Sequence, residues 1–308
     1  MSNPTRRAII GAALAGLALP AVAACSGQAA QVGGSTSGGD SSPSAGGEKK
    51  VTLALVAGWD EGVAATYLWK QILEDKGFSV TVNELEVAQS YLAVAEGQAD
   101  LFLGAWLPAT QQPYWEKNSD KLEKVSDWFT PATLLLATPN YVSDVNTIAD
   151  LTGKGGEFGG QIVGIEPGAG LMRLTKEAVI PQYGLTDYTL VESSTPAMLA
   201  SLEKAIGDQK PIVVTLWKPH WAFTKYPIKV LEDTKGAFGA ADNVTAIATK
   251  GFATKQADVS GWISKFTMDD QQLGSLELLI QQKGQGQEQA AAAEWIKTNQ
   301  SLVDSWTA

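Results

Sequence analysis

The chain has 308 residues, a formal net charge of −10, one histidine (His220) and one cysteine (Cys25). That length supplies a core without disulfide staples, and a lone cysteine excludes an intrachain bridge. The acidic balance speaks against a nucleic-acid partner, whose phosphates need concentrated basic surface, and one histidine with one cysteine leaves no His/Cys metal cluster.

Arg6 and Arg7 precede an apolar run from Ala8 to Ala24, which ends in small residues before Cys25. This is the pattern of a secretory signal. Val22-Ala23-Ala24-Cys25 resembles the lipobox of bacterial lipoproteins, in which the cysteine is lipidated and becomes the mature N-terminus. The run is interrupted by Pro20 and glycines and is shorter than the ~20 residues a membrane span needs. Residues 1–25 are therefore assigned as a lipoprotein signal, with the general and twin-arginine export routes both open. Residues 26–48 are mostly small and polar, cannot bury a core, and read as a flexible tether.

From Lys50 onward, short β-branched runs alternate with amphipathic helical patterns, the signature of α/β architecture with parallel strands. Strands are expected at 51–57, 79–85, 100–104, 133–138, 161–165, 188–192, 211–216 and 244–249. The segment 61–76 predicts a helix with Val63, Tyr67, Leu68 and Ile72 on its buried stripe and Gly77 ending it. A second helix is expected over 196–206, with Thr195 as N-cap, Leu199, Leu202 and Ile206 inward, and Gly207 as its stop. Beyond Lys255 the pattern is helical throughout. A Gly-rich break at 150–160 and a second crossing near 236–243 suggest two lobes: 49–155 with 245–308, and 156–244. Ligands of open α/β sheets bind beyond the carboxyl ends of the strands, so the cleft between lobes is the place to look.

Three loops there present a tryptophan directly after an apolar strand: Trp59, Trp106 and Trp217. One such indole could simply seal a core. Three equivalent placements can enclose a cation that has no hydrogen-bond donor, such as a trimethylammonium group, at about 2 kcal/mol per well-desolvated contact. A fourth loop, Gly164-Ile165-Glu166-Pro167-Gly168-Ala169-Gly170-Leu171, opens a helix and suits a carboxylate, because helix N-termini offer free N–H donors and a favourable dipole. It lacks the Gly-Lys-Ser/Thr ending of a phosphate loop.

At these residues the sequence resembles the glycine betaine/proline betaine substrate-binding proteins of ABC importers, from Lys50 to about Thr298. The motifs that carry the resemblance are residues 164–172, Glu-Ser-Ser-Thr-Pro-Ala-Met-Leu (192–199), Pro-Ile-Val-Val-Thr-Leu-Trp-Lys-Pro-His-Trp (211–221) and Ala-Trp-Leu-Pro-Ala-Thr (105–110). The resemblance implies a two-lobed type II periplasmic-binding-protein-like fold that hinges shut on its ligand. It also implies a Trp59/Trp106/Trp217 cage for the ammonium and backbone N–H groups of Gly170 and Leu171 for the carboxylate. A histidine that grips the carboxylate in relatives is replaced here by Gln111, which can donate a hydrogen bond but cannot become cationic. Carnitine, proline betaine, choline and a sulfonium analogue stay open as ligands. His220 is expected to pack beside Pro219 rather than touch the ligand.

The implied partners are a small quaternary-ammonium solute, the permease and ATPase of an ABC importer, and the outer face of the cell membrane through the lipid anchor. A monomer without a cofactor is expected. The competing reading is a secreted hydrolase using Asp60, Glu61 and Glu166, since tryptophans also stack on sugars and paired carboxylates do acid/base work. Acidic residues opening a helix are, however, explained by its dipole. A third reading is a binding protein that feeds a membrane sensor.

Overall fold

The computed structural model describes residues 49–308; the expectations for residues 1–48, Cys25 included, lie outside the described residues. The strands are β1 (Lys50–Leu55), β2 (Ser79–Glu84), β3 (Leu101–Leu107), β4 (Leu122–Pro139), β5 (Gln161–Val163), β6 (Thr189–Val191), β7 (Val214–Lys218), β8 (Ile228–Leu231) and β9 (Asp242–Thr249). The helices of the first stretch are α1 (Asp60–Asp75), α2 (Val87–Ala95), α3 (Gln112–Asn118), α4 (Gly170–Leu174), α5 (Ile180–Tyr183), α6 (Thr195–Gly207) and α7 (Ala222–Lys225). The C-terminal stretch adds α8 (Phe252–Lys255), α9 (Ala257–Ile263), α10 (Asp270–Lys283), α11 (Glu288–Thr298) and α12 (Gln300–Thr307).

The strands run in the order β2-β1-β3-β9-β4-β7-β5-β6, with β8 beside β4. β4 belongs to two halves. From Leu122 to Ala132 it pairs antiparallel with β9, completing the A half with β1, β2 and β3. From Thr133 to Pro139 it pairs with β7 and β8, opening the B half with β5 and β6. The change of partner thus falls inside one extended strand, ahead of the 150–160 break where a crossing is expected from sequence. Short 3-10 turns at Ile148–Leu151 and Gly155–Phe158 occupy the region of that break, both downstream of the switch. The chain returns to the A half between β8 and β9.

Burial explains the strand compositions. β3, Leu-Phe-Leu-Gly-Ala-Trp-Leu, is buried at every position, with α1 and α2 packed against it. α1 buries Ala64, Ala65, Leu68, Trp69, Ile72 and Leu73, whereas Val63 and Tyr67 are only half-buried, so the inward face is turned relative to the expected stripe. Two alanines account for this: they let the helix sit close to the sheet, so bulk is not a guide to the contact face. Gly77 ends α1 with φ +84. α6 starts one residue earlier than expected. Ser194 is its N-cap, accepting the Ala197 N–H, and Thr195 lies inside the first turn; Gln209 rather than Gly207 takes the left-handed conformation after it. The C-terminal helices close the A half through Trp69, Phe266 and Trp306, with Phe266 edge-on to both indoles at 5.4 and 4.9 Å. No described helix is long and apolar enough to cross a membrane.

Candidate ligand-binding site

The three strand ends bring Trp59, Trp106 and Trp217 to one cavity, lined also by Glu61, Thr110, Gln111, Leu134, Ala169, Gly170 and Leu171. Every residue expected at the site is therefore present on its wall. The A half contributes Trp59 after β1, Trp106 within β3 and Gln111 after it. The B half contributes Trp217 from β7, with Leu134 opposite it in register, and the loop after β5.

Glu61, which the sequence offers as a helix-opening acid and as a candidate of the hydrolase reading, organises this cavity. It is 1% exposed. One carboxylate oxygen accepts the Trp106 indole N–H at 2.9 Å and the other accepts that of Trp217 at 2.9 Å. Fixing both N–H groups fixes the planes of both rings. Burial pushes the Glu61 carboxyl above the ordinary glutamate range, while the Trp106 and Trp217 donors pull it back. Trp59 is held separately, its N–H donating to Glu166 at 3.4 Å.

At the other end, Ala169 caps α4, and the N–H groups of Gly170 and Leu171 meet no acceptor among the described residues, as befits a helix's first turn. Gly170 is required by contact: a Cβ there would stand 2.3 Å from the Thr110 carbonyl oxygen. Thr110 itself is clamped, because Asp242 accepts the N–H groups of Ala109 and Thr110 at 2.7 and 2.8 Å. Gln111 is buried, its Oε1 accepting the Tyr91 hydroxyl at 2.9 Å and its Nε2 donating to the Gly104 carbonyl at 3.4 Å. One amide hydrogen remains for the cavity.

His220 does not line the cavity. It lies edge-on to Trp217 at 4.7 Å, accepts the Ala222 N–H on Nδ1 at 3.0 Å, and sets Nε2 3.2 Å from Asp60 Oδ2. Glu277 is buried close to Asp60 and Glu61, with the Trp221 backbone as its hydrogen-bonding neighbour. Burial, with the charges of Asp60 and Glu61 nearby, drives the Glu277 carboxyl well above its usual range.

Residues 49–298 match the family described as the substrate binding domain of the ABC-type glycine betaine transport system. The chain belongs to this family. Its members serve transporters and are not enzymes, so the hydrolase reading is not supported. The glycine betaine/carnitine transport binding protein GbuC of Listeria monocytogenes is 38% identical over 148 residues, 47% of this chain and 48% of that relative. The aligned stretch thus spans about half of that relative's length. Among solved structures, lactococcal OpuAC in its closed-liganded conformation with glycine betaine superposes with a TM-score of 0.77 at 35% identity, covering 84% of this chain and 99% of that one. A choline binding protein of an ABC transporter, in complex with choline, gives 0.76 at 25% identity, covering 84% and 91%. These are substrate-binding proteins of the α/β periplasmic-binding-protein-like fold.

Proposed function

We propose that this protein captures glycine betaine, or a closely related quaternary-ammonium solute, and hands it to an ABC importer. The observation that carries the reading is the pairing, in one cavity, of three indoles with a buried carboxylate beneath two of them. A trimethylammonium group spreads its charge over a shell of methyls and cannot donate a hydrogen bond; aromatic faces and an acid held in place suit it. The ligand carboxylate would take the free N–H groups of Gly170 and Leu171 and the remaining amide hydrogen of Gln111. Glu61 would oppose the cation without touching it, its negative charge held by the same donors that orient the cage.

In this reading the A and B halves are the two lobes, crossed in β4 and ahead of β9, and they close on the ligand. A ligand shifts that equilibrium only through contacts that differ between open and closed forms. Contacts to Trp59 and Trp106 on one side, and to Trp217, Gly170 and Leu171 on the other, supply the difference. The permease with its ATPase would read the closed form. Lipidation of Cys25 would hold the monomer at the outer face of the membrane, with 26–48 as a leash that raises its effective concentration at the permease.

Titration with glycine betaine, proline betaine, carnitine, choline and dimethylsulfoniopropionate, followed by tryptophan fluorescence and calorimetry, tests the reading. Tight binding of a carboxylated betaine with much weaker choline supports both ends of the site. Equal binding of choline would keep the cage and reject the carboxylate end; binding of none would reject the quaternary-ammonium assignment.

A further inference from the structure

Two hydrogen bonds cross between the sheet halves through the cage indoles themselves. Trp217 of the B half donates to Glu61 of α1 in the A half, at 2.9 Å. Trp59 of the A half donates to Glu166 of the B half, at 3.4 Å. Each half thus presents an indole whose N–H is held by a carboxylate of the other. Glu61 lies in the cavity wall, whereas Glu166 does not, so ligand contact gives it no role.

Glu166 is nevertheless closely placed. Its Oε1 accepts the backbone N–H of Thr195 at 2.8 Å and its Oε2 the Thr195 hydroxyl at 2.9 Å, both in the first turn of α6. Its own carbonyl accepts the Ala169 N–H at 3.0 Å, which shapes the loop leading to Gly170. Gly58, beside Trp59, reaches the same spot from the other half. A Cβ on Gly58 would lie 3.3 Å from Pro196 Cδ and 3.7 Å from Glu166 Oε1, and its φ is +85. Only a residue without a side chain allows the Gly58-Trp59 turn to come this close.

We propose that Glu166 is a positioning residue for closure: a latch made when the halves meet, which registers the Trp59 ring while its own loop presents Gly170 and Leu171. The inference rests on the function proposed above. A bond made only in the closed form leaves capture unchanged and slows release.

The test is stopped-flow fluorescence of the full chain with glycine betaine, comparing wild type, Glu166→Gln, Trp59→Phe and the double variant, with Tm measured without ligand. Glu166→Gln keeps the size of the side chain but cannot accept from Thr195 and Trp59 together without opposing an amide N–H to one of them. The release rate of Glu166→Gln is expected to rise about tenfold, the scale of one hydrogen bond to a charged group, with the capture rate unchanged. The double variant should release no faster than Trp59→Phe, because both remove one bond. An unchanged release rate, effects that multiply, or a loss seen only in Tm would overturn the latch while betaine binding by the wild type stands. A wild type that binds no betaine overturns the proposed function and the latch with it.

Discussion

Glu61 and Trp217 are 156 positions apart in the chain, yet a carboxylate oxygen of the first accepts the indole N–H of the second at 2.9 Å. The same carboxylate takes the Trp106 N–H at 2.9 Å. A single buried acid therefore sets two walls of the cavity.

Replacing it with an isostere separates shape from charge. Glu61→Gln retains one good acceptor and turns an amide N–H toward the other indole, leaving that donor opposed and the site neutral. Affinity for glycine betaine should fall about a hundredfold, on the scale of 1.5–3 kcal/mol for a hydrogen bond to a charged group plus the lost attraction to the cation. Calorimetry reads this directly, and unchanged affinity would remove Glu61 from the cage.

Affinity should also depend on pH through the same group. Burial raises the Glu61 carboxyl above its ordinary range, and a bound cation favours its ionised form, so its value is lower with ligand than without. Binding therefore releases a proton when pH lies between the two values, and affinity is lost as pH falls through that window. Fluorescence titrations from pH 8 downward should show the decline beginning above the ordinary glutamate value of about 4.3, and Glu61→Gln should abolish it.

Glu277 makes an opposite and separate prediction, about stability. Its folded-state value is raised well above that of the unfolded chain. Its contribution is fully present below the unfolded value and is lost as pH rises toward the folded one. Glu277→Gln mimics the protonated form, so its Tm advantage over wild type should be absent near pH 4 and reach about 3 °C or more at pH 7. Parallel Tm curves for the two proteins would show that Glu277 does not hold the proton.

Gly170→Ala tests the contact between the carboxylate loop and the Trp106 strand end. The new methyl would stand 2.3 Å from the Thr110 carbonyl oxygen and 2.6 Å from its Cγ2. Because Thr110 is pinned by Asp242, the loop must give way, and the halves cannot close to the same depth. Betaine affinity should drop at least tenfold, with ligand-free Tm little changed; the reverse pattern would mean that the contact serves folding alone.

The parts of this site that were legible in the sequence share a local origin. Trp59, Trp106, Trp217 and the Gly170 loop each follow a strand signal in the chain, so strand ends and residue type sufficed to nominate them. Glu61 was visible as an acid in a helix's first turn and as a candidate hydrolase acid, but not as the holder of two indoles, because its partners are strand residues far along the chain. Asp242, which clamps the 109–110 loop from β9, is hidden for the same reason. Among the fold elements, β4 was read only over 133–138, since Thr130-Pro131 and the polar residues before it interrupt the strand pattern. That interruption concealed the point at which the sheet changes halves. β8 was missed because four residues after Pro227 carry too little alternation to stand out.

The central claim is that the cage recognises positive charge and not merely a bulky methylated group. Calorimetric titration of the protein with glycine betaine and with 3,3-dimethylbutyrate, which has the same shape and carboxylate but carbon in place of the ammonium nitrogen, isolates that charge. Three indoles at about 2 kcal/mol each when desolvated, together with Glu61, predict binding of glycine betaine at least a hundredfold tighter. Equal affinity for the two, or no binding of glycine betaine, would contradict the account.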